Sequence, residues 1–148
     1  MARTIPIDPI LEKGYNVRLL VEDFDGLIEK WSNRSEKFRE TVDSSLDCQY
    51  GNGEKDKLDI FRCGKPNAPL FIFVHGGYWQ RGDKSVYSFV AESFVSSGID
   101  VALIGYQLCP SASMTNIVDK IREAVIWIWN NADDYAISKN RINVSGHS

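Results

Sequence analysis

The stretch Pro69–Trp79, reading Pro-Leu-Phe-Ile-Phe-Val-His-Gly-Gly-Tyr-Trp, constrains the fold more than any other part of the chain. Leu70–Val74 is an unbroken apolar run rich in aromatic and β-branched residues. A short run without polar alternation predicts a strand buried on both faces, as in a parallel sheet. The run stops at His75-Gly76-Gly77. Two glycines at the C-terminal end of a buried strand permit unusual dihedrals and close backbone approach. Ligands of open α/β sheets bind at that end of the strands. N–H groups freed by such a turn can face an anion. The same residues also suit a tight strand exit without function.

The pattern around this strand sets the fold class. Gln80-Arg81-Gly82-Asp83 is a polar loop, with Asp83 placed as a helix N-cap. A helix burying Val86, Phe89, Val90 and Phe94 is predicted next, with Gly98 as its C′ residue. Asp100–Tyr106 carries the apolar run Val101–Ile104 and reads as a second buried strand, left through Gln107-Leu108-Cys109-Pro110. From about Met114 to Asn130, Ile117, Val118, Ile121, Ala124, Val125 and Ile128 form one helical face. Trp127 and Trp129 flank that face as packing residues. Asn131–Asn140 is a polar connection to a strand at Arg141–Val144. Strand–helix–strand–helix–strand with continuous apolar strands gives right-handed crossovers. The expectation is an α/β fold, a mostly parallel sheet with helices on both faces.

Upstream, a short helical turn is predicted near Pro9–Lys13, followed by extended Tyr15-Asn16. Val21–Val42 is helical in character, with Phe24, Leu27, Ile28, Trp31, Ser35 and Phe38 on one stripe. Gly26 and Ser32-Asn33 weaken it, so a break is expected there. This segment reads as an arm packed on the core, or as a lid over a site. Asp47–Tyr50 and Lys57–Arg62 read as strands joined through Gly51-Asn52-Gly53-Glu54. Residues 1–45 are thus a helical N-terminal arm and residues 46–148 the sheet core of one domain.

Composition excludes several classes. The 148 residues are 43% hydrophobic and 25% charged, with a net charge of −3. Nothing here favours nucleic acid or an anionic membrane as a partner. No apolar run approaches the ~18 residues of a membrane-spanning helix. Met1–Pro6 lacks the apolar core of a signal peptide. Cys48, Cys63 and Cys109 have no metal-ligand spacing and read as reduced thiols of a cytoplasmic protein. No metal and no cofactor is expected.

A second motif lies far downstream. The last predicted strand runs into Gly146-His147-Ser148. These are the first three positions of Gly-x-Ser-x-Gly, the sharp turn that presents a nucleophilic serine in α/β-hydrolases. Glycine two places before the serine is expected because the turn leaves no room for a side chain. Gly-x-Ser alone is weak, but its place after the His-Gly-Gly strand exit strengthens it. Ser148 is then the candidate nucleophile. Gly76, Gly77 and Tyr78 are candidate backbone donors to an oxyanion. Tyr78 and Trp79 either wall an aromatic pocket or pack under the loop. The two histidines, His75 and His147, both sit in glycine turns, and neither is placed to be the serine's general base. In that fold the acid and the histidine follow the serine in chain order. The chain therefore reads as the front portion of an α/β-hydrolase domain, its C-terminal part missing, and as inactive alone.

At these residues the chain resembles a known family. His75-Gly76-Gly77-Tyr78-Trp79 is similar to the HGGxW motif of the α/β-hydrolase kynurenine formamidases, or arylformamidases. Tyr15-Asn16-x-Arg18, Tyr50-Gly51, Leu58-Asp59-Ile60-Phe61, Gln80, Asp83-Lys84-Ser85, Tyr106-x-Leu108-Cys109-Pro110 and Ser145-Gly146-His147-Ser148 also look like that family. The resemblance spans residues 15 to 148. It implies hydrolysis of N-formyl-L-kynurenine to kynurenine and formate, a step of tryptophan catabolism, without a metal. It implies Ser148 as nucleophile, the Gly77–Tyr78 backbone as oxyanion hole, and His75 and Trp79 as motif or pocket residues. The substrate is a small aromatic formamide or ester, and a homodimer suits the full-length protein. The other readings are a broad carboxylesterase of the same fold and a non-catalytic hydrolase-fold protein or inert fragment.

Overall fold

A computed structural model describes residues 6–148 of the chain. The reading that Met1–Pro6 lacks a signal-peptide core falls mainly on residues outside the described ones. A single five-stranded mixed sheet organises the described residues, in the order β1-β2-β4-β3-β5. Its strands are β1 (Ser44–Gln49), β2 (Lys57–Phe61), β3 (Leu70–Val74), β4 (Asp100–Ile104) and β5 (Ile142–Gly146). The β1–β2 and β2–β4 pairs are antiparallel. β3 runs parallel to both its neighbours, Leu70 facing Asp100 and Ile142, and Val74 facing Ile104 and Gly146. This is the α/β-hydrolase arrangement expected, with the apolar β3 run at the centre of its parallel part.

Strand alternation divides the core between two faces. Leu58, Ile60, Leu70, Ile72, Ala102 and Ile104 point to one face, where Ala124 and Ile128 of α4 (Met114–Asn130) cover them. Phe61, Phe73, Val101 and Leu103 point to the other, against Ala91 of α3 (Ala91–Ser96) and Phe38 of α2 (Phe24–Thr41). Phe71 stacks on Phe94 there, centroids 4.2 Å apart. Each fully buried aliphatic side chain of this kind stabilises by about 1.5–3 kcal/mol.

α4 begins and ends where its period predicts, and Ser113 and Asn116 close a reciprocal capping box at its start. α2 departs from expectation. It runs unbroken, because Gly26 lies in the first turn, where its N–H donates to Asp23 Oδ1 at 3.0 Å. Ser32 Oγ donates to the Ile28 carbonyl at 2.9 Å, inside the helix's own turn. The polar member of the stripe, Ser35, is fully buried: its hydroxyl donates to Val86 O and accepts from Phe89 N–H.

The segment after Asp83 is a 3-10 helix, Lys84–Val90, continued by the short α3, rather than one α-helix. Its buried residues are Lys84, Ser88 and Ala91, while Val86, Phe89, Val90 and Phe94 are only half-buried. Gly98 follows the Ser97 C-cap with φ 86°, as predicted for a C′ glycine. Near the N-terminus, α1 (Pro9–Tyr15) extends through Tyr15, capped by Asp8, and a 3-10 turn at Val17–Leu20 follows. β1 starts earlier than predicted, at Ser44, because Asp43 and Ser45 both bond to Arg62 beside β2. β4 ends at Ile104 rather than Tyr106, and β5 is shifted toward the serine motif.

Candidate active site

The β3 and β5 strands end side by side. His147 N–H donates to Val74 O at 3.1 Å, which carries their pairing past Gly146. The His75–Trp79 loop and Gly146-His147-Ser148, distant in sequence, meet as a result. The side-chain direction of Gly76 points into the second motif. A Cβ built there would lie 2.9 Å from Ser148 Cβ and 3.1 Å from His147 Nδ1. Only glycine permits that approach. Gly146, by contrast, is not crowded: its nearest neighbour would be Val74 O at 3.9 Å. The reason given above for a glycine two places before the serine therefore does not hold among the described residues. The crowding lies at Gly76.

Backbone strain collects at this junction. Ser148 has φ 61°, in the left-handed region that non-glycine residues seldom enter. Gly77, Tyr78 and Trp79 have φ of 132°, 54° and 57°. Such residues persist where the surroundings over-determine them, and they cluster at functional sites. The loop closes through Gly77 O, which accepts from the N–H groups of Gln80 and Arg81, each at 3.1 Å. The N–H groups of Gly76, Gly77 and Tyr78 donate to no main-chain acceptor among the described residues.

His75 is a buried anchor of the loop, 4% exposed. Its ring stacks on Tyr106 at 4.4 Å between centroids and on Tyr87 at 5.7 Å. Nδ1 lies 2.9 Å from Gly76 O. A carbonyl only accepts, so Nδ1 carries the proton of a neutral imidazole. Burial pushes the His75 pKa below the ordinary histidine value, and the Gly76 carbonyl opposes the shift. Gly82, at φ 98°, packs over this ring, where a Cβ would stand 2.8 Å from both His75 Nδ1 and Gly76 O.

Charged groups secure the base of the loop. Lys84, directly after the Asp83 cap, is 8% exposed. Its Nζ donates to Asp59 at 2.6 Å and to Asp47 at 2.8 Å. Burial alone would depress the Lys84 pKa, but the two carboxylates raise it above the ordinary lysine value. Asp59 Oδ1 also accepts from Asp47 N–H, in the irregular part of β1 where Asp47 has φ 55°. This triad ties β1, β2 and the segment after the loop together.

The expected site residues are brought together in part. His75, Gly76, Gly77, Trp79 and Ser148 line an open cleft of about 410 Å³. Ser148 is exposed to solvent. The Tyr78 side chain is 73% exposed and does not line the cleft, so of the two aromatics considered as walls only Trp79 contributes one. Tyr106 and, from α4, Ile117, Val118, Ile121 and Arg122 complete the cleft without having been assigned to it from sequence. Two signals could have found them: Tyr106 leaves the C-terminal end of β4, and the α4 stripe begins at Ile117.

Residues 58–148 match the BD-FAE family model. The chain is 34% identical to the kynurenine formamidase of Danio rerio over 94 residues, which are 62% of this chain and 32% of that protein. The kynurenine formamidase of Drosophila melanogaster is 34% identical over 102 residues, 68% of this chain and 33% of the fly protein. The chain thus spans about a third of the length of these relatives. Among solved structures, a candidate thioesterase from Silicibacter sp. TM1040 superposes with a TM-score of 0.81 at 32% identity, over 93% of this chain and 51% of that one. With the serine motif, the glycine loop and the parallel strands β4, β3 and β5 inside the matched span, the chain belongs to the BD-FAE family and has the α/β-hydrolase fold.

Proposed function

We propose that the full-length protein is a serine hydrolase that cleaves an aromatic formamide, N-formyl-L-kynurenine, to kynurenine and formate. The observation that carries this reading is the close approach of Ser148, held at a left-handed φ, to the side-chain direction of Gly76, in a loop where the N–H groups of Gly76, Gly77 and Tyr78 have no main-chain acceptor among the described residues. Ser148 Oγ attacks the formyl carbon as a general base takes its proton. The carbonyl oxygen becomes an oxyanion, which N–H groups of Gly76, Gly77 and Tyr78 receive. Preorganised donors of this kind are worth roughly 3–4 kcal/mol each when one is removed. Collapse breaks the C–N bond, the amine leaves with the proton from the base, and water then hydrolyses the formyl ester to formate. His75 is not that base, since its Nδ1–H is bonded to Gly76 O and its ring is buried. In this fold the general base and its orienting carboxylate follow the nucleophilic serine in chain order.

The substrate assignment rests on the 34% identity to kynurenine formamidases and on the aromatic and aliphatic cleft of Trp79, Tyr106, Ile117 and Ile121. The test is formate release from N-formylkynurenine by the full-length protein, beside hydrolysis of p-nitrophenyl acetate. A kcat/KM well above that for the ester supports the formamidase. Ester turnover without formate release moves the assignment to a carboxylesterase. Neither reaction leaves a non-catalytic member of the fold.

A further inference from the structure

We propose that Tyr106 is a positioning residue for the oxyanion loop, holding its N–H groups in register with Ser148; this rests on the reading of that loop and serine given above. Tyr106 is 3% exposed and stands where β4 ends. Its hydroxyl donates to the His75 carbonyl oxygen at 2.6 Å, and its ring stacks on the His75 imidazole. The carbonyl it holds belongs to the peptide unit whose nitrogen is the Gly76 N–H. One phenol therefore fixes the plane of the first candidate donor. Burial pushes the Tyr106 pKa up to about 12, so the hydroxyl remains a donor across the working range.

The same segment makes a second attachment. Cys109 N–H donates to Trp79 O at 2.7 Å. The loop is thus gripped before Gly76 and after Tyr78 by one stretch, Tyr106–Cys109, that follows β4. The donors between these two grips have no main-chain acceptors among the described residues, so the grips and the Gly77 turn set their direction. A loop held this way is rigid before substrate arrives, which is what electrostatic preorganisation requires.

Tyr50 provides a matched control. Its hydroxyl is also buried and donates at 2.7 Å to Gly105 O, next to Tyr106, rather than to a carbonyl of the loop. The experiment compares Tyr106→Phe and Tyr50→Phe in the full-length protein. Both variants keep the aromatic ring and lose one buried hydroxyl. Tyr106→Phe is expected to lower kcat by about tenfold or more, since small misplacements of a catalytic group reach about 100-fold. KM should stay within about twofold, the pattern for an interaction that matters in the transition state. Affinity for an aryl boronate, which forms a tetrahedral anion on the serine, should fall in parallel with kcat, while affinity for kynurenine does not. Tyr50→Phe should leave kcat and boronate affinity within about threefold of the parent, although its melting temperature falls by a similar amount. Equal kcat losses in the two variants, or a Tyr106→Phe enzyme with parental kcat, would overturn the positioning role.

A readout independent of turnover separates this inference from the function it rests on. The amides of Arg81 and Cys109 bond to loop carbonyls. Their hydrogen exchange should quicken by about tenfold or more in Tyr106→Phe relative to β4 amides, as expected for a local opening. Unchanged exchange at both amides would refute the grip. A parent protein inactive on formamides and esters refutes the proposed function alone.

Discussion

Ser148 Cβ occupies the space toward which a side chain on Gly76 would project, 2.9 Å from the position a Cβ would take. The same Cβ would also clash with the His147 carbonyl oxygen, so the two motifs approach at Gly76 more closely than a side chain there would allow. Gly76→Ala is expected to push the two motifs apart. A displacement near 1 Å at a reacting centre costs on the order of 100-fold in rate. Steady-state kinetics on the full-length Gly76→Ala protein should show that loss in kcat/KM with the fold retained by circular dichroism. Parental kcat/KM would show that the contact plays no part in catalysis.

Lys84 is the electrostatic anchor beneath the loop. Lys84→Met leaves Asp59, with 2% side-chain exposure, buried without its cation. Breaking a buried pair from one side costs about 3–5 kcal/mol. Urea unfolding should record a loss of that size, and Asp59→Asn added to Lys84→Met should recover part of it. A loss below about 1 kcal/mol would place the pair with exposed, weakly coupled bridges.

Much of this arrangement is legible in the chain itself. β3 and α4 appear where their patterns predict, because a buried strand and an amphipathic helix write their burial into consecutive residues. The glycine loop and the serine motif are local as well, and their meeting follows from the parallel β3–β5 pairing. What was not legible depends on partners from elsewhere. The ion pairing of Lys84 depends on Asp59 and Asp47, which the β1–β2 pair brings to it from distant sequence. Ser35 falls on the predicted stripe, but the partners that satisfy its buried hydroxyl, Val86 O and Phe89 N–H, come from the distant 3-10 segment. The break expected in α2 is absent because Gly26 falls in a capped first turn. Tyr106 takes its meaning from one carbonyl on the neighbouring strand's exit.

His75 gives the protein a predictable acid sensitivity. Its folded pKa lies below the ordinary 6.5, so the folded state holds it neutral where the unfolded chain would bind a proton. Its contribution is complete above about pH 6.5 and is lost as pH falls from there toward the folded pKa. Across that window the unfolding free energy should drop by up to about 1.4 kcal/mol per pH unit. Denaturant titrations between pH 7.5 and about pH 5 should show this slope in the parent and a smaller one in His75→Gln. Identical slopes would mean that His75 is not held neutral by the fold.

Ser148 is proposed as the nucleophile, and a single substitution removes its hydroxyl. Formate release from N-formylkynurenine is measured for the full-length protein and for Ser148→Ala, with a serine-directed sulfonyl fluoride used to map the labelled residue. The parent should turn over, label at Ser148 and lose activity as it labels. The variant should fall by roughly three orders of magnitude or more in kcat, with only the stabilisation from binding and the oxyanion loop left. A Ser148→Ala protein that releases formate at close to the parental rate would rule out Ser148 as the nucleophile.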